Sequence, residues 1–98
     1  MSRVVKFAPS AENDLLNIWQ FRVEYSTESA DALVERLIAA TTRLADYPRS
    51  APVRVHESDE LRGLSAHGHI LFYVFDDSTV TIARVFDARQ NWREYLLK

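Results

Sequence analysis

Residues 61–87 read LRGLSAHGHILFYVFDDSTVTIARVFD, and this stretch decides the fold. β-Branched and aromatic residues alternate in it with small or polar ones, which is typical of strands. Turn residues interrupt the pattern twice, at His67-Gly68 and at Asp76-Asp77-Ser78. The apolar run Phe72–Phe75 would point to both faces of the middle strand. The stretch therefore predicts three strands joined by tight turns, in a sheet that another part of the chain must cover.

Length and composition set the class of protein. The length of 98 residues predicts a single domain spanning residues 1–98. The composition, with 47% hydrophobic and 27% charged residues, is ordinary for a soluble globular protein. No apolar run approaches the roughly 20 residues needed to span a bilayer, so no membrane contact is expected. The absence of cysteine excludes disulfides and thiol chemistry and fits the cytoplasm, where we expect the protein. The net charge of −2 argues against a protein whose main partner is nucleic acid.

A short strand and two helices are predicted before the sheet. Arg3–Phe7 is the strand candidate, Pro9 ends it, and Ser10 is expected to cap the first helix. Apolar residues at helical spacing define that helix, of roughly 14 residues: Leu15, Ile18, Trp19, Val23 and Tyr25. Ser26–Ser29 can cap a second helix. The apolar face of this second helix is centred on Ala30, Leu33, Leu37, Thr41 and Leu44.

The remaining segments complete the fold prediction. Val53–His56 is a candidate short strand, and Ala88–Lys98 can form a terminal helix packed through Trp92, Leu96 and Tyr95. The order β-α-α-β-β-β, with a short C-terminal helix, predicts an α+β fold. In this fold an N-terminal strand comes first. A helical hairpin follows it and packs on a mostly antiparallel sheet.

The chain carries no motif for common catalytic or cofactor chemistry. Gly63 and Gly68 do not open a helix, which excludes a phosphate loop, and no serine lies in a nucleophile motif. His67 and His69 could share a strand face as metal ligands, but no third ligand is indicated. A polar hairpin tip is the simpler interpretation, and we expect neither a metal nor a cofactor. Asp76-Asp77 resembles paired carboxylates, but its place between two strands predicts turn residues.

Arginine carries nearly all of the positive charge. If Arg62 and Arg84 lie on neighbouring strands and share a face, they would present fixed donors to a phosphate or a carboxylate without a metal. The alternative is that they pair with carboxylates of the same fold. Arg22 lies inside the apolar arc of the first helix, where its stem can pack while its guanidinium reaches water or a ligand.

One set of short motifs runs through the chain in a fixed order: Ala11, Asp14-Leu15, Ile18-Trp19, Phe21, Leu44 with Pro48, Arg54, Leu61-Arg62, Phe72-Tyr73, Ile82–Phe86 and Arg89–Trp92. In this order and spacing the chain resembles the RelE/ParE superfamily of toxins from bacterial type II toxin-antitoxin modules, and in particular the ParE branch. The resemblance implies a cytoplasmic toxin that causes growth arrest and serves plasmid stabilisation. It also implies a cognate ParD-like antitoxin and a toxin-antitoxin complex of higher order.

The resemblance implies two different activities for different branches. ParE-like members block DNA gyrase, whereas RelE-like members cleave mRNA on the ribosome with Lys, Arg and a Tyr or His near the C-terminus. This chain has no lysine cluster in its middle, and Asp87 stands where relatives commonly carry His. A carboxylate there would repel phosphate, and RNA cleavage also needs a proton-transfer group. The sequence therefore favours gyrase inhibition by binding, without catalysis and without sequence-specific contact to nucleic acid.

Two alternatives stay open. The first is a ribosome-dependent endoribonuclease, and its candidate catalytic residues are Arg62, Arg84, Arg89 and Tyr95. The second is an inactive interaction module of the same fold.

Both partner surfaces are also hypotheses. The candidate antitoxin-binding residues, whose alternative role is ordinary core packing, are Leu16, Phe21, Val23, Val34 and Ile38. The candidate target-binding residues are Arg84, Arg89, Trp92 and Arg93, of which Trp92 could instead be a core anchor.

Overall fold

The computed structural model describes residues 2–55 and 60–96 of the chain. Its elements follow the predicted order: β1 (Val4–Phe7), α1 (Pro9–Val23), α2 (Thr27–Ala40), a 3-10 turn (Thr42–Ala45), β2 (Val53–Val55), β3 (Leu61–Ala66), β4 (His69–Phe75), β5 (Thr79–Asp87) and α3 (Trp92–Leu96). The predicted α+β fold is confirmed. None of the helices in the described residues is long and apolar enough to cross a bilayer. His56 and Leu97-Lys98, which the sequence places in a strand and in the terminal helix, lie outside the described residues.

β3, β4 and β5 form the antiparallel meander predicted from residues 61–87. In the first turn His67 and Gly68 both have positive φ, 48° and 78°, a conformation that matches the twist of a two-residue hairpin. In the second turn Asp76 Oδ1 accepts hydrogen bonds from the backbone N–H groups of Ser78 and Thr79, at 2.9 and 2.8 Å. Both turns therefore form where the sequence predicted them.

The sheet has five strands in the order β1-β5-β4-β3-β2. β1 is an edge strand and runs parallel to β5, from Val4 opposite Thr79 to Phe7 opposite Ile82. The other neighbouring strands are antiparallel. β1 therefore lies at one edge of the sheet and pairs with the last strand of the meander.

The pairing of β4 with β5 contains a bulge. Tyr73 lies opposite Ile82, but the preceding residue Phe72 lies opposite Arg84, so β5 accommodates one additional residue, Ala83. A bulge bends its strand and shifts every later pair by one position. All pairs between the bulge and the His69 end of β4 depend on this shift.

The first helix begins two residues earlier than the sequence predicted, at Pro9 rather than Ala11, so the assignment of Ser10 as its cap is wrong. α1 starts at Pro9, and its N-cap is Ala8, whose side chain makes no capping hydrogen bond. Proline is favoured at the first helical position because its φ is already helical and that position needs no N–H donor. Ser10 Oγ instead donates to the carbonyl of Ala83, at 2.8 Å. α1 ends at Val23, which leaves Tyr25 outside the helix and 77% exposed rather than on the packed face.

The second helix agrees with the sequence prediction. Ser26 is its N-cap, and its hydroxyl accepts a hydrogen bond from the N–H of Ser29, at 3.1 Å. α2 ends at Ala40, and the 3-10 turn then continues the packed face. All five residues predicted at the centre of that face are buried: Ala30, Leu33, Leu37, Thr41 and Leu44.

Apolar residues cover both faces of the sheet, as the run Phe72–Phe75 predicted. The helical hairpin and one face of the sheet enclose the main core: Ala11, Leu15, Leu33, Leu37, Leu44, Ala51, Leu64, Leu71, Tyr73, Val80, Ile82 and Val85. The opposite face carries a second cluster of Ile70, Phe72 and Phe86, packed by Leu61, Trp92 and Leu96. α3 therefore covers the face that the helical hairpin leaves open.

Candidate functional site

A groove of about 700 Å³ lies between α1, the end of β5 and the C-terminal tail. It mixes aromatic rings with charged groups, and its lining residues are Asp14, Asn17, Ile18, Phe21, Arg22, Tyr25, Leu33, His69, Arg84, Val85, Phe86, Asp87, Arg89, Gln90 and Tyr95. Phe21 is 72% exposed, and its ring centroid lies 6.5 Å from that of Tyr25. Such exposed rings beside charged groups are typical of a binding surface.

The unequal lengths of β1 and β5 explain why the groove forms there. β1 pairs with β5 only as far as Ile82, whereas β5 continues to Asp87. Beyond Ile82, α1 takes the place of the strand. Asp14 accepts a hydrogen bond from the N–H of Val85 at 2.9 Å, so a helix side chain satisfies a strand donor that would otherwise be unpaired.

The same carboxylate of Asp14 binds Arg84. The guanidinium donates from Nε and from Nη2 to the two carboxylate oxygens, at 2.8 and 3.0 Å. These hydrogen bonds raise the pKa of Arg84 above its ordinary value. The Arg84 Cζ atom also lies 4.5 Å from the centroid of the Phe86 ring. Arg84 therefore has a carboxylate partner within the fold, which is the alternative that the sequence left open.

Arg89, in the tail, pairs with Asp87. Its Nε and Nη2 atoms lie 3.2 and 3.3 Å from the carboxylate oxygens, and its backbone N–H donates to Oδ1 at 2.8 Å. These hydrogen bonds from Arg89 lower the pKa of Asp87 and raise the pKa of Arg89. The Arg89 side chain is 92% exposed, so the pair sits at the rim of the groove and in contact with solvent.

His69 is a groove residue that the sequence analysis did not assign to the site. It begins β4 directly opposite Asp87, and its Nδ1 lies 3.0 Å from the carbonyl oxygen of His67. The groove thus contains an imidazole, a type of side chain that can transfer protons. Without the bulge at Ala83, His69 would face Phe86 instead. Only the register of β4 and β5, which the sequence does not reveal, could have identified it.

The predicted arginine pair is not brought together. Arg62 lies on β3 opposite Tyr73, and Arg84 lies on β5 opposite Phe72, so β4 separates them. Tyr73 and Phe72 are consecutive, so they point to opposite faces of the sheet. Arg62 Nη1 donates to the carbonyl of Ala51 at 2.6 Å, away from the groove.

The other candidate target-binding residues lie on α3. Trp92 is half-buried against the second cluster, and its ring centroid is 4.9 Å from that of Phe72. Arg93 is exposed and lies over the Trp92 ring, with its Cζ atom 4.8 Å from the centroid. Tyr95 is 55% exposed and lines the groove beside Phe86. Trp92 therefore anchors α3 to the sheet, and the side chains of Arg93 and Tyr95 remain exposed.

The candidate antitoxin-binding residues fall on two surfaces. Phe21 lines the groove. The other four lie on the two helices of the hairpin, and we call this set the helix seam: Leu16, Val23, Val34 and Ile38. Leu16 and Val23 are seven residues apart on α1, and Val34 and Ile38 are four apart on α2, so each pair shares a helix face. Trp19 Nε1 donates to Asp31 Oδ1 at 2.7 Å and joins the two helices.

Residues 2–55 and 60–96 contain no group of three or more His, Asp or Glu side chains that could hold an ion. His67 and His69 lie beside a turn that needs the positive φ of His67.

Comparison with known proteins places this α+β domain among the toxins of type II toxin-antitoxin systems. The family model described as the ParE toxin of the type II toxin-antitoxin system, parDE, matches residues 5–92. The chain therefore belongs to the ParE toxin family of type II toxin-antitoxin systems. No match was found among proteins with curated descriptions.

Solved structures share the fold. A chain of the chromosomal ParDE toxin-antitoxin system from P. aeruginosa matches with a TM-score of 0.75 and 18% identity, over 90% of this chain and 98% of that one. A chain of the RelBE2 complex from Mycobacterium tuberculosis matches with a TM-score of 0.59 and 24% identity, over 89% and 99%. A chain of the E. coli DinJ-YafQ complex matches with a TM-score of 0.60 and 14% identity, over the full length of both chains.

Proposed function

We propose that this toxin inhibits DNA gyrase by binding, without catalysis, and that a cognate ParD-like antitoxin neutralises it. The observation that carries the proposal is the pairing of both groove arginines, Arg84 with Asp14 and Arg89 with Asp87. Cleavage of RNA without a metal needs cations that stabilise the charge developing on the phosphate. Cations already neutralised by carboxylates serve this purpose poorly. Membership of the ParE family supports the same interpretation.

The target-binding surface would be the exposed side of the tail. Arg89 and Arg93 are exposed there, and Trp92 fixes α3 to the sheet so that Arg93 projects from a rigid support. Arginine at an interface pairs with carboxylates and stacks on flat groups, and a few such residues carry most of the binding energy. Arg84 would act in the groove as the fixed partner of Asp14.

The antitoxin would bind the helix seam. Leu16 is 51% exposed and Ile38 is 42% exposed, while Val23 and Val34 are half-buried. An amphipathic helix of a partner could lay its apolar side along this strip. Solved relatives of the fold include toxin-antitoxin complexes, which supports an antitoxin partner. Phe21, across α1 in the groove, would contact a second part of the same partner.

Gyrase supercoiling with purified components tests the proposal. The wild-type chain should inhibit supercoiling, and Arg93→Ala should raise the concentration for half-inhibition by at least about tenfold, the loss typical of an arginine hot spot. Arg36→Ala, an exposed arginine on α2, is the matched control and should inhibit like the parent. Absence of inhibition by the parent chain at excess toxin would disprove the gyrase proposal.

RNA cleavage is the second candidate, and the position of His69 favours it. His69, Asp87 and Tyr95 line one groove with Arg84 and Arg89, so a proton-transfer group lies among cations. A translating extract with a defined message distinguishes the two functions. If the chain is a nuclease, the message is cut, and His69→Ala abolishes cutting while the melting temperature stays near that of the parent. If it is a gyrase inhibitor, the message remains intact. A chain that does neither would be the inactive interaction module.

A further inference from the structure

Three guanidinium groups gather around one aromatic ring at the end of β4 that lies away from the groove. The Cζ atoms of Arg49, Arg3 and Arg62 lie 5.0, 5.4 and 6.0 Å from the centroid of the Phe75 ring. We call this set the arginine cluster. His69 begins β4 at the groove and Phe75 ends it here, so the two sites stand at opposite ends of a seven-residue strand.

The backbone holds two of these arginines in place. Arg3 Nε donates to the carbonyl of Asp76 at 2.7 Å, and Arg62 Nη1 donates to the carbonyls of Ala51 and Arg49 at 2.6 and 3.3 Å. A guanidinium has five N–H donors, so both side chains retain donors beyond these bonds. Arg49 is exposed and makes no side-chain hydrogen bond to the described residues. The cluster is therefore partly preorganised for a ligand, which lowers the entropy cost of binding.

Among residues 2–55 and 60–96 the cluster forms no ion pair with a carboxylate. No carboxylate of residues 2–55 or 60–96 lies within 4.0 Å of a guanidinium nitrogen in the cluster. Asp46 lines the same depression of about 400 Å³ as Arg3 and Arg49. The Asp76 carboxylate accepts the backbone N–H groups of its own turn, and the charge of Arg3 adds a smaller effect that lowers its pKa. Like charges gathered this closely repel one another, so an anion is the ligand that would stabilise them.

We propose that the arginine cluster binds the phosphate backbone of nucleic acid. A single carboxylate offers one negative charge. Each strand of a duplex carries one phosphate about every 3.4 Å along the helix axis, so several phosphates can contact the guanidinium groups at once. The three cations are all arginine, and their planar forks bind phosphate oxygens in bidentate fashion. Contacts to phosphates read no sequence, in agreement with the expectation that the chain makes no sequence-specific contact.

This inference goes beyond the proposed gyrase inhibition, because it concerns a different surface and a nucleic acid instead of a protein as the ligand. The arginine cluster shares no residue with the groove or with α3. Nucleic acid binding at this surface could therefore succeed or fail whatever the outcome of the supercoiling test.

Fluorescence anisotropy with the full chain tests the proposal, using labelled DNA and RNA duplexes of about 20 base pairs from about 50 to about 200 mM NaCl. The parent should bind, with affinity falling as salt rises. Arg49→Gln should weaken binding about tenfold and reduce the slope of log K against log [salt] by about one. Arg49→Lys should keep the slope but lose part of the affinity, because it retains the charge without the planar fork.

Arg36→Gln is the matched control, since it removes an exposed arginine outside the cluster and should leave binding unchanged. Equal melting temperatures of Arg49→Gln and the parent would exclude a folding defect. Binding to DNA alone, RNA alone or both identifies the source of the phosphates and supports the proposal in each case. The proposal is overturned if the parent binds no duplex at about 50 mM NaCl, if Arg36→Gln loses as much affinity as Arg49→Gln, or if polyglutamate binds as tightly as the duplexes.

Discussion

Asp14 connects three parts of the molecule through one carboxylate. It binds the Arg84 guanidinium through both oxygens, satisfies the N–H of Val85, and sits on the helix that replaces β1 along β5. Its own side chain is buried, whereas that of Arg84 is about one third exposed. Removing one partner of a buried ion pair leaves the other charge without compensation, which costs more than the net value of the pair.

We therefore expect Asp14→Asn to lower the free energy of unfolding by about 2–3 kcal/mol. This loss is at the low end of the range for breaking a buried ion pair, because water can hydrate the exposed part of Arg84. Urea denaturation measures it. Glu12→Gln, an exposed acid in the first turn of α1, serves as control and should change stability by less than about 0.5 kcal/mol. Equal stability of Asp14→Asn and the parent would mean that the pair contributes nothing.

Asp76 sets the pH dependence of the β4–β5 turn. Hydrogen bonds from the backbone N–H groups of Ser78 and Thr79 lower the pKa of its carboxyl below the ordinary value of 3.8. The folded pKa lies below the unfolded one, so the ionised carboxylate stabilises the fold above pH 3.8. This contribution is lost as pH falls through the folded pKa.

Asp76→Ala should consequently melt at a lower temperature than the parent near neutral pH, and the difference should shrink in acid. Melting temperatures of both chains from about pH 7 to about pH 2 test this, with Asp77→Ala as the neighbouring control. A gap that stays constant across the whole range would show that the ionised carboxylate is not what stabilises the turn.

In α3, packing and partner recognition are assigned to two neighbouring residues, Trp92 and Arg93. Trp92 packs on Phe72 beneath it, whereas Arg93 is exposed above the Trp92 ring. Removal of a half-buried indole opens the second apolar cluster to water, so Trp92→Ala should cost about 2–3 kcal/mol of unfolding free energy. Arg93→Ala should cost less than about 1 kcal/mol, the value of an exposed cation–π contact. Chemical denaturation of both variants measures these losses. A larger loss of unfolding free energy for Arg93→Ala than for Trp92→Ala would mean that Trp92 is not the packing anchor of α3.

The helix seam is the element-scale test of antitoxin binding. Ile38→Glu places a charge on an exposed apolar strip, so it should weaken antitoxin binding by at least about tenfold while the melting temperature of the toxin changes little. Val34→Glu should also weaken binding, with a larger cost to stability because Val34 is half-buried. Calorimetric titration with the cognate antitoxin measures both. Equal affinity of the Ile38→Glu variant and the parent would remove the seam from the interface.

The whole molecule presents separate surfaces, so its effects on growth should be separable. Induced expression of the parent should give filamentation and a DNA-damage response, as expected of a gyrase inhibitor. Arg93→Ala should reduce this toxicity, whereas Ile38→Glu should stay toxic and escape rescue by the antitoxin. Microscopy with a DNA-damage reporter, with and without antitoxin, reads out both effects. Rapid translation arrest without filamentation would instead favour the nuclease.

Local patterns were enough to predict the elements. The alternation in residues 61–87 and the turn residues around Gly68 and Asp76 specify the meander, because a strand's side chains alternate and its turns need particular residues. The apolar spacing from Ala30 to Leu44 specified the face of the second helix that is buried. The start of α1 was missed because Pro9 outweighs Ser10 as a helix-start residue.

Only the tertiary structure decided which charged residues share a site. The sequence determined the fold class and the candidate arginines, because those depend on residue type and short-range spacing. The bulge at Ala83 decided that His69 faces Asp87, and the early end of β1 decided that Asp14 reaches Arg84. Partners far apart in sequence meet through strand register and through the placement of a helix on a sheet edge. A shift of one residue in that register exchanges one set of neighbours for another.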